Sequence, residues 1–201
     1  MAYVLGFLFA DGNIIKNKRG AHFISFYSAD LILLESIKKV LDSDHKITKR
    51  KSKNPDNYSI QIGSKEMYSD LIKLGLKEKK THRMEFPKMK REYFSDFLRG
   101  YFDGDGNVWV GEIHKERKTK HQTIRTSFTS CSFDFLKSLQ DYIFKITTHL
   151  GSLIKGRGNY YRLTYSSQGS FNLYKIMYNN SQSPLFLKRK KVIFARYFKN
   201  K

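Results

Sequence analysis

The apolar and polar positions of this chain fall into an order that occurs twice. The apolar run Leu5–Ala10 stops at Asp11-Gly12-Asn13 and predicts a short buried helix, with Gly-Asn as a left-handed stop. Asn13–Arg19 and Ala21–Ser28 follow as two strands joined at Arg19-Gly20. Leu33, Leu34, Ile37, Val40 and Leu41 mark one face of a helix over Asp30–Leu41, with Asp30 as its N-cap. Lys46–Ser52 and Tyr58–Gly63 predict a second hairpin about Asn54-Pro55-Asp56-Asn57. Ser64 caps a helix over Lys65–Leu74 that ends at Gly75.

The same order then returns. Ser95–Asp105 is the second buried helix, Asn107–Arg117 pairs with Gln122–Ser130, and Phe133–Leu150 is a long helix. Ser152–Arg157 pairs with Tyr160–Ser166, and Ser170–Asn179 is the last helix. Asp11 and Asp105 lie 94 positions apart, Ser25-Phe26-Tyr27-Ser28 and Ser127-Phe128-Thr129-Ser130 lie 102 apart, and Leu76 and Leu187 lie 111 apart. The growing offset places insertions in loops of the second half, with Glu112–His121 as one candidate. An α+β fold follows: two pseudo-symmetric αββαββα halves, 1–76 and 92–201, joined by a basic link at 77–91 that contains Pro87. Each half would carry one antiparallel sheet, helices on one face and the other face open, and the two open faces would form a saddle.

Charge says what that saddle is for. The 38 Lys and Arg against 18 Asp and Glu leave a net +20, which points to a polyanion, most simply nucleic acid. Polar strand residues facing away from the apolar side are the candidate contacts, since such side chains read base edges and β-ribbons fit a major groove. In the first half they are Asn17, Arg19, Lys46, Thr48, Arg50, Ser59 and Gln61. In the second they are Thr123, Arg125, Ser127, Lys155, Arg157, Arg162 and Thr164. A single cysteine, Cys131, excludes an internal disulfide framework and cysteine-based zinc sites, and fits a reducing compartment. The apolar run Ala2–Ala10 has no basic region before it and recurs near residue 100, so it belongs to the fold rather than to a signal peptide. No stretch approaches the roughly 20 apolar residues of a membrane span. The expectation is a soluble intracellular protein with no membrane partner, in cytoplasm, nucleoid or organelle matrix.

The repeated segment itself needs a physical reason. A carboxylate at a helix C-terminus lies at the negative end of the helix dipole, at a cost of about 0.3–1 kcal/mol unless something offsets it. A cation would, because carboxylate and peptide oxygens are what Mg²⁺ or Ca²⁺ prefers. Gly6 and Gly100 inside the two helices each cost about 1 kcal/mol relative to Ala. Close approach of another backbone is the usual compensation. Two such helices side by side would bring Asp11 and Asp105 together.

At these residues the chain resembles the LAGLIDADG homing endonucleases. Leu5-Gly6-Phe7-Leu8-Phe9-Ala10-Asp11-Gly12 and Leu98-Arg99-Gly100-Tyr101-Phe102-Asp103-Gly104-Asp105-Gly106 are similar to the family's two signature segments. The first departs at Phe9, which stands where the family has an acid, while Asp103 keeps that acid in the second and is read as structural or capping. The resemblance, to the single-chain two-motif form, implies a site-specific endonuclease that acts as a monomer with an internal pseudo-two-fold axis. It would hydrolyse both strands of a long, pseudo-palindromic duplex DNA target. Mg²⁺ is the expected cofactor, with Ca²⁺ or Mn²⁺ as substitutes, held by Asp11, Asp105 and the carbonyls of Ala10 and Gly104. The resemblance also implies a catalytic lysine near the end of each half: Lys80 and Lys190, with the neighbouring Lys79 and Lys191 left open. An intron RNA maturase or a catalytically inactive DNA-binding protein on the same scaffold is the alternative, with intron RNA as its partner. An intein-embedded nuclease is a third reading, which no splicing segment in the sequence supports.

Overall fold

Two helices that are buried on nearly every side form the axis of the molecule. In the computed structural model, which describes residues 1–50, 57–78, 84–113, 121–179 and 183–199, these are α1 (Ala2–Asp11) and α4 (Phe94–Asp105). They pack directly on one another, and their glycines make that contact possible. A Cβ on Gly6 would lie 2.0 Å from the Phe97 carbonyl oxygen, and one on Gly100 would lie 2.0 Å from that of Tyr3. Glycine is therefore required at both positions by backbone approach, as the sequence implied.

Each axial helix runs straight into a strand. Gly12 and Gly106 end the helices with extended backbone, φ −104° and −90°, rather than the left-handed stop expected from Gly-Asn. Their lack of a side chain matters for space instead. A Cβ on Gly12 would lie 2.6 Å from the Leu8 Cα, and one on Gly106 would lie 2.4 Å from the Phe102 carbonyl oxygen.

The remaining elements of the first half are β1 (Gly12–Lys16), β2 (His22–Ser28), α2 (Leu31–Val40), β3 (Ile47–Lys49), β4 (Tyr58–Gly63) and α3 (Lys65–Lys73). Asp30 and Ser64 cap α2 and α3 by accepting from the amides of Leu33 and Met67. The second half has β5 (Gly106–Ile113), β6 (His121–Ser130), α5 (Phe133–Thr147), β7 (Ser152–Lys155), β8 (Tyr161–Tyr165), α6 (Ser167–Asn179) and α7 (Lys188–Lys199). Helix α5 ends earlier than the apolar pattern suggests, at Thr148 in the left-handed region (φ 57°). The hairpin β5–β6 has eight- and ten-residue strands where β1–β2 has five and seven, and this accounts for most of the first widening of the offset, from 94 to 102. The expected turn at Asn54–Asp56 and most of Glu112–His121 lie outside the described residues.

Helix α7 has no counterpart in the expected αββαββα order. Four consecutive basic residues, Lys188–Lys191, obscure its apolar side, yet Lys190, Phe194 and Tyr197 are buried at helical spacing. Residues 77–78 and 84–91 of the basic link are described, and its later part packs on the second half. Met84 is buried, its carbonyl accepts from Ser132 Oγ at 2.7 Å, and Phe86 packs among Phe94, Phe97, Phe135 and Tyr142. This stretch is a packed strap across the second half.

Both sheets are antiparallel with matching order, β1-β2-β4-β3 and β5-β6-β8-β7. Rows such as Ile14–Ile24–Ile62 and Val110–Ile124 face the helices, and Ile24, Ile124 and Phe128 are fully buried there. The alternate rows, Asn13–Ser25–Gln61 and Asn107–Ser127–Thr164, belong to the open faces. Among the described residues no helix is long and apolar enough to cross a membrane.

Candidate functional site

The C-terminal ends of α1 and α4 meet at the seam between the two sheets, since each helix runs directly into the first strand of its own sheet. Asp11 is exposed and Asp105 is half-buried. The two ends abut at Gly104: a Cβ there would lie 2.3 Å from that of Ala10 and 3.3 Å from Asp11 Oδ2. The residue preceding one carboxylate is thus laid against the other. Both Asp11 and Asp105 are also close enough to raise the Tyr101 hydroxyl pKa, chiefly elevated by burial, and to act on the Lys190 ammonium.

Lys190 reaches this junction from α7. Its Nζ donates to the carbonyls of Gly106 (2.6 Å), Phe102 (2.7 Å) and Asp103 (2.8 Å), with that of Gly104 furthest at 3.5 Å. A buried cation thereby sits among the carbonyls at the end of α4, where that of Phe102 also accepts from the Gly106 amide. Desolvation lowers its pKa to about 8 and the Arg189 charge adds to that, while Asp103, Asp11 and Asp105 act in the opposite direction. Its neighbour Lys191 turns away, with Nζ 4.4 Å from the Phe186 ring centroid and 5.3 Å from that of Tyr178. Lys79 and Lys80 lie outside the described residues.

Asp103 is structural. Its Oδ2 accepts from Tyr3 Oη of the first half at 2.7 Å and from the Leu187 amide at 2.8 Å. Burial raises its pKa, against the Tyr3 hydroxyl, the Leu187 N–H, Lys190 and Arg99. Phe9, at the matching place in α1, packs against Phe97 and Phe135. Arg99 is a structural centre that sequence reasoning missed. It is 1% exposed, and its guanidinium donates to Asp96 Oδ1 (2.8 Å) and to the carbonyls of Leu185, Met177 and Ser183. A buried charge so completely paired ties the approach to α7 onto α4.

The donor set at the junction suits a hard divalent ion. It offers two carboxylates and neighbouring peptide oxygens, and Cys131 lines the cavity beside Ala10 and Asp105. The clearance at Gly104 beside Asp11 is the feature that admits this convergence. Among the described residues, no group of three or more His, Cys, Asp or Glu gathers in the manner of a metal cluster. An ion here would thus take further oxygens from water or substrate, as Mg²⁺ does.

The expected nucleic-acid contacts separate into groups. Arg125, Ser127, Arg162 and Thr164 line a concavity of about 430 Å³ on the open face of the second sheet, together with Asn107, Trp109, Ser152 and Ile154. Thr48, Ser59 and Gln61 fall on the open rows of the first sheet, and Arg50 stacks 4.8 Å over the Tyr27 ring. Arg19, Lys46 and Arg157 lie outside the strands, Arg19 and Arg157 exposed and Lys46 just ahead of β3. Three residues are placed differently from the expectation. Asn17 uses its Oδ1 to accept from the amides of Arg19 and Ala21 within a turn. Thr123 is buried and hydrogen-bonds the Ser167 hydroxyl at 3.0 Å. Lys155 pairs with Tyr161, one residue out of phase with the open row Ile154–Arg162, so its register belongs to the helix side.

Comparison with solved structures finds this fold in proteins of low sequence identity. The meganuclease I-SmaMI bound to uncleaveable DNA superposes with a TM-score of 0.68 at 16% identity, over 98% of this chain and 88% of that one. The I-SmaMI LAGLIDADG homing endonuclease bound to cleaved DNA gives 0.65 at 16% identity, over 98% and 87%. The I-LtrWI LAGLIDADG homing endonuclease bound to target DNA gives 0.64 at 17% identity, over 100% and 90%. The fold is therefore that of the LAGLIDADG homing endonucleases across nearly the whole chain. Among curated proteins, a replication factor C small subunit of Methanocaldococcus jannaschii is 28% identical over 152 residues, covering 72% of this chain. An uncharacterized protein of the same organism is 26% identical over 121 residues, covering 58% of this chain. The chain spans only 8% and 42% of these two relatives' own lengths. No family model matches the sequence.

Proposed function

We propose that this chain, built on the LAGLIDADG endonuclease fold, is a site-specific double-strand DNA endonuclease acting as a monomer. The observation that carries the reading is the abutment of the α1 and α4 ends, which sets Asp11 of one half against the residue before Asp105 of the other. One carboxylate per half suits a duplex lying across the pseudo-two-fold, with halves 1–76 and 92–201 each serving one strand.

Asp11 and Asp105, with the carbonyls of Ala10 and Gly104, would hold Mg²⁺. Bound there, the ion would activate water and neutralise charge on the scissile phosphate. Lys190 keeps the end of α4 ordered and adds positive charge beside the phosphate. Lys80 is proposed for the corresponding role in the first half. The open rows of both sheets, under a net charge of +20, bind the duplex and set its register.

The test starts from a duplex that the protein itself selects out of a randomised library in EDTA. That duplex is cloned into a supercoiled plasmid and challenged with Mg²⁺. Linearisation with Mg²⁺ and none with EDTA is the expected result. Tight binding without cutting at any Mg²⁺ or Mn²⁺ concentration would assign the chain to a binding role, on DNA or on intron RNA.

A further inference from the structure

The helix layers of the two halves are not equally closed. Gly6 meets the Phe97 carbonyl and Gly100 meets that of Tyr3, so positions 94 apart correspond across the axis. Leu5 of α1 therefore stands where α4 has Arg99. In the second half the chain covers this position itself. Helix α6 packs directly on α4, and its last turn supplies the Met177 carbonyl that accepts from the Arg99 guanidinium. Helix α3 is shorter, with 9 residues against the 13 of α6, and it stops before Gly75, which is held in the left-handed region (φ 95°). Leu5 is left partly open as a result. A trough of about 660 Å³ runs between α1, α3 and the strap, floored by Val4, Leu5 and Leu8 and walled by Leu71, Leu74 and Met89. Leu74 is 40% exposed there. Among the described residues no strand residue lines it, so it belongs to the helix side of the fold, away from the open faces.

The charges of the trough are of one sign. Lys88 and Lys90 stand exposed on its strap edge, and the one acid among its described lining residues, Asp96, is already held by Arg99 at 2.8 Å. An open apolar concavity with polar edges marks a site of association. An apolar floor beside a basic edge complements a helix with an apolar stripe and acidic flanks. The matching place in the second half is filled by a helical turn of polypeptide, which favours a helix over a lipid chain as the occupant. We propose that this trough docks an acidic amphipathic helix of another protein, seated on Leu5 and Leu74 where the last turn of α6 covers Arg99 in the second half. The helix side and the open faces can then be occupied together. This inference stands whether or not the chain cuts DNA.

The probe is a fluorescein-labelled peptide of about four helical turns, with leucine along one face and glutamate on the rest. A peptide of the same composition with its leucines scattered is the control. Binding to the full-length chain is read by anisotropy in about 0.15 M salt, where charges more than about 8 Å apart are screened. The patterned peptide should bind at least about tenfold more tightly than the control. Leu74→Lys, and separately Lys88→Glu with Lys90→Glu, should each weaken it by at least about tenfold. The second variant alters only exposed side chains, so it keeps the test open if the first fails to fold. Excess duplex DNA should leave the peptide bound. Equal binding of the control, or displacement by DNA, would reduce the effect to attraction by a +20 chain and overturn the inference. So would binding that neither variant weakens. Self-association of the chain that Leu74→Lys abolishes would give the trough to a second copy, and binding of laurate without the helix would give it to a lipid chain; either result overturns the inference.

Discussion

Tyr3 of α1 donates its hydroxyl to Asp103 of α4 at 2.7 Å, through the buried interface between the halves. The same carboxylate oxygen accepts from Leu187, so one acid links α1, α4 and the approach to α7. Tyr3→Phe should destabilise the protein by about 1–3 kcal/mol, because a buried carboxylate loses a donor. A double-mutant cycle with Asp103→Asn, measured by denaturant unfolding, should give a coupling of at least about 0.5 kcal/mol. Additive effects would mean that the bond contributes nothing to stability.

The glycine contact makes a sharper demand. Gly6→Ala or Gly100→Ala forces a methyl against a carbonyl oxygen and should cost about 3 kcal/mol or more. For a chain of this size that lowers Tm by about 6–12 °C. Gly63→Ala is the control, since its Cβ would meet Phe23 at an ordinary 3.7 Å; it should move Tm by less than about 2 °C.

Lys190 and Lys191 are adjacent in sequence and opposite in situation. Lys190→Met removes the ammonium from the carbonyls at the end of α4, and should cost about 1–3 kcal/mol and at least about tenfold in cleavage rate. Lys191→Met loses a ring contact at the surface, worth below about 1 kcal/mol. Parallel melting curves and single-turnover cleavage assays separate the two. Equal effects would show that position along α7 does not matter.

Binding of a selected duplex should weaken steeply with salt. Six to ten phosphate contacts across the two faces predict a loss of about 10³- to 10⁵-fold between 50 and 200 mM. A flat response, measured by fluorescence anisotropy, would contradict a phosphate-tracking surface.

Much of the architecture was legible because its signals are local. Asp30 and Ser64 cap where their side-chain types demand, and the alternation in β4 sets which of its residues face the helices. The glycines in the axial helices were legible for the same reason, as a cost that needed compensation. What escaped is non-local. Helix α7 is held by contacts of Lys190 and Phe194 with α4, and its buried lysine breaks the apolar pattern that would announce it. The carbonyl partners of Arg99 come from residues 177–185, about 80 positions away. Lys155 was assigned to the open face although a one-residue difference in strand phase sets it on the other side. The extended ends at Gly12 and Gly106 show that Gly-Asn after a helix reports crowding here rather than handedness.

The measurement closest to the core of the account is cleavage of the selected plasmid by Asp11→Asn and Asp105→Asn, with duplex affinity measured alongside. Each single variant should lose linearisation by at least about 10²-fold while binding within roughly threefold of wild type. Full double-strand cutting by either variant would show that the paired carboxylates are not the catalytic centre.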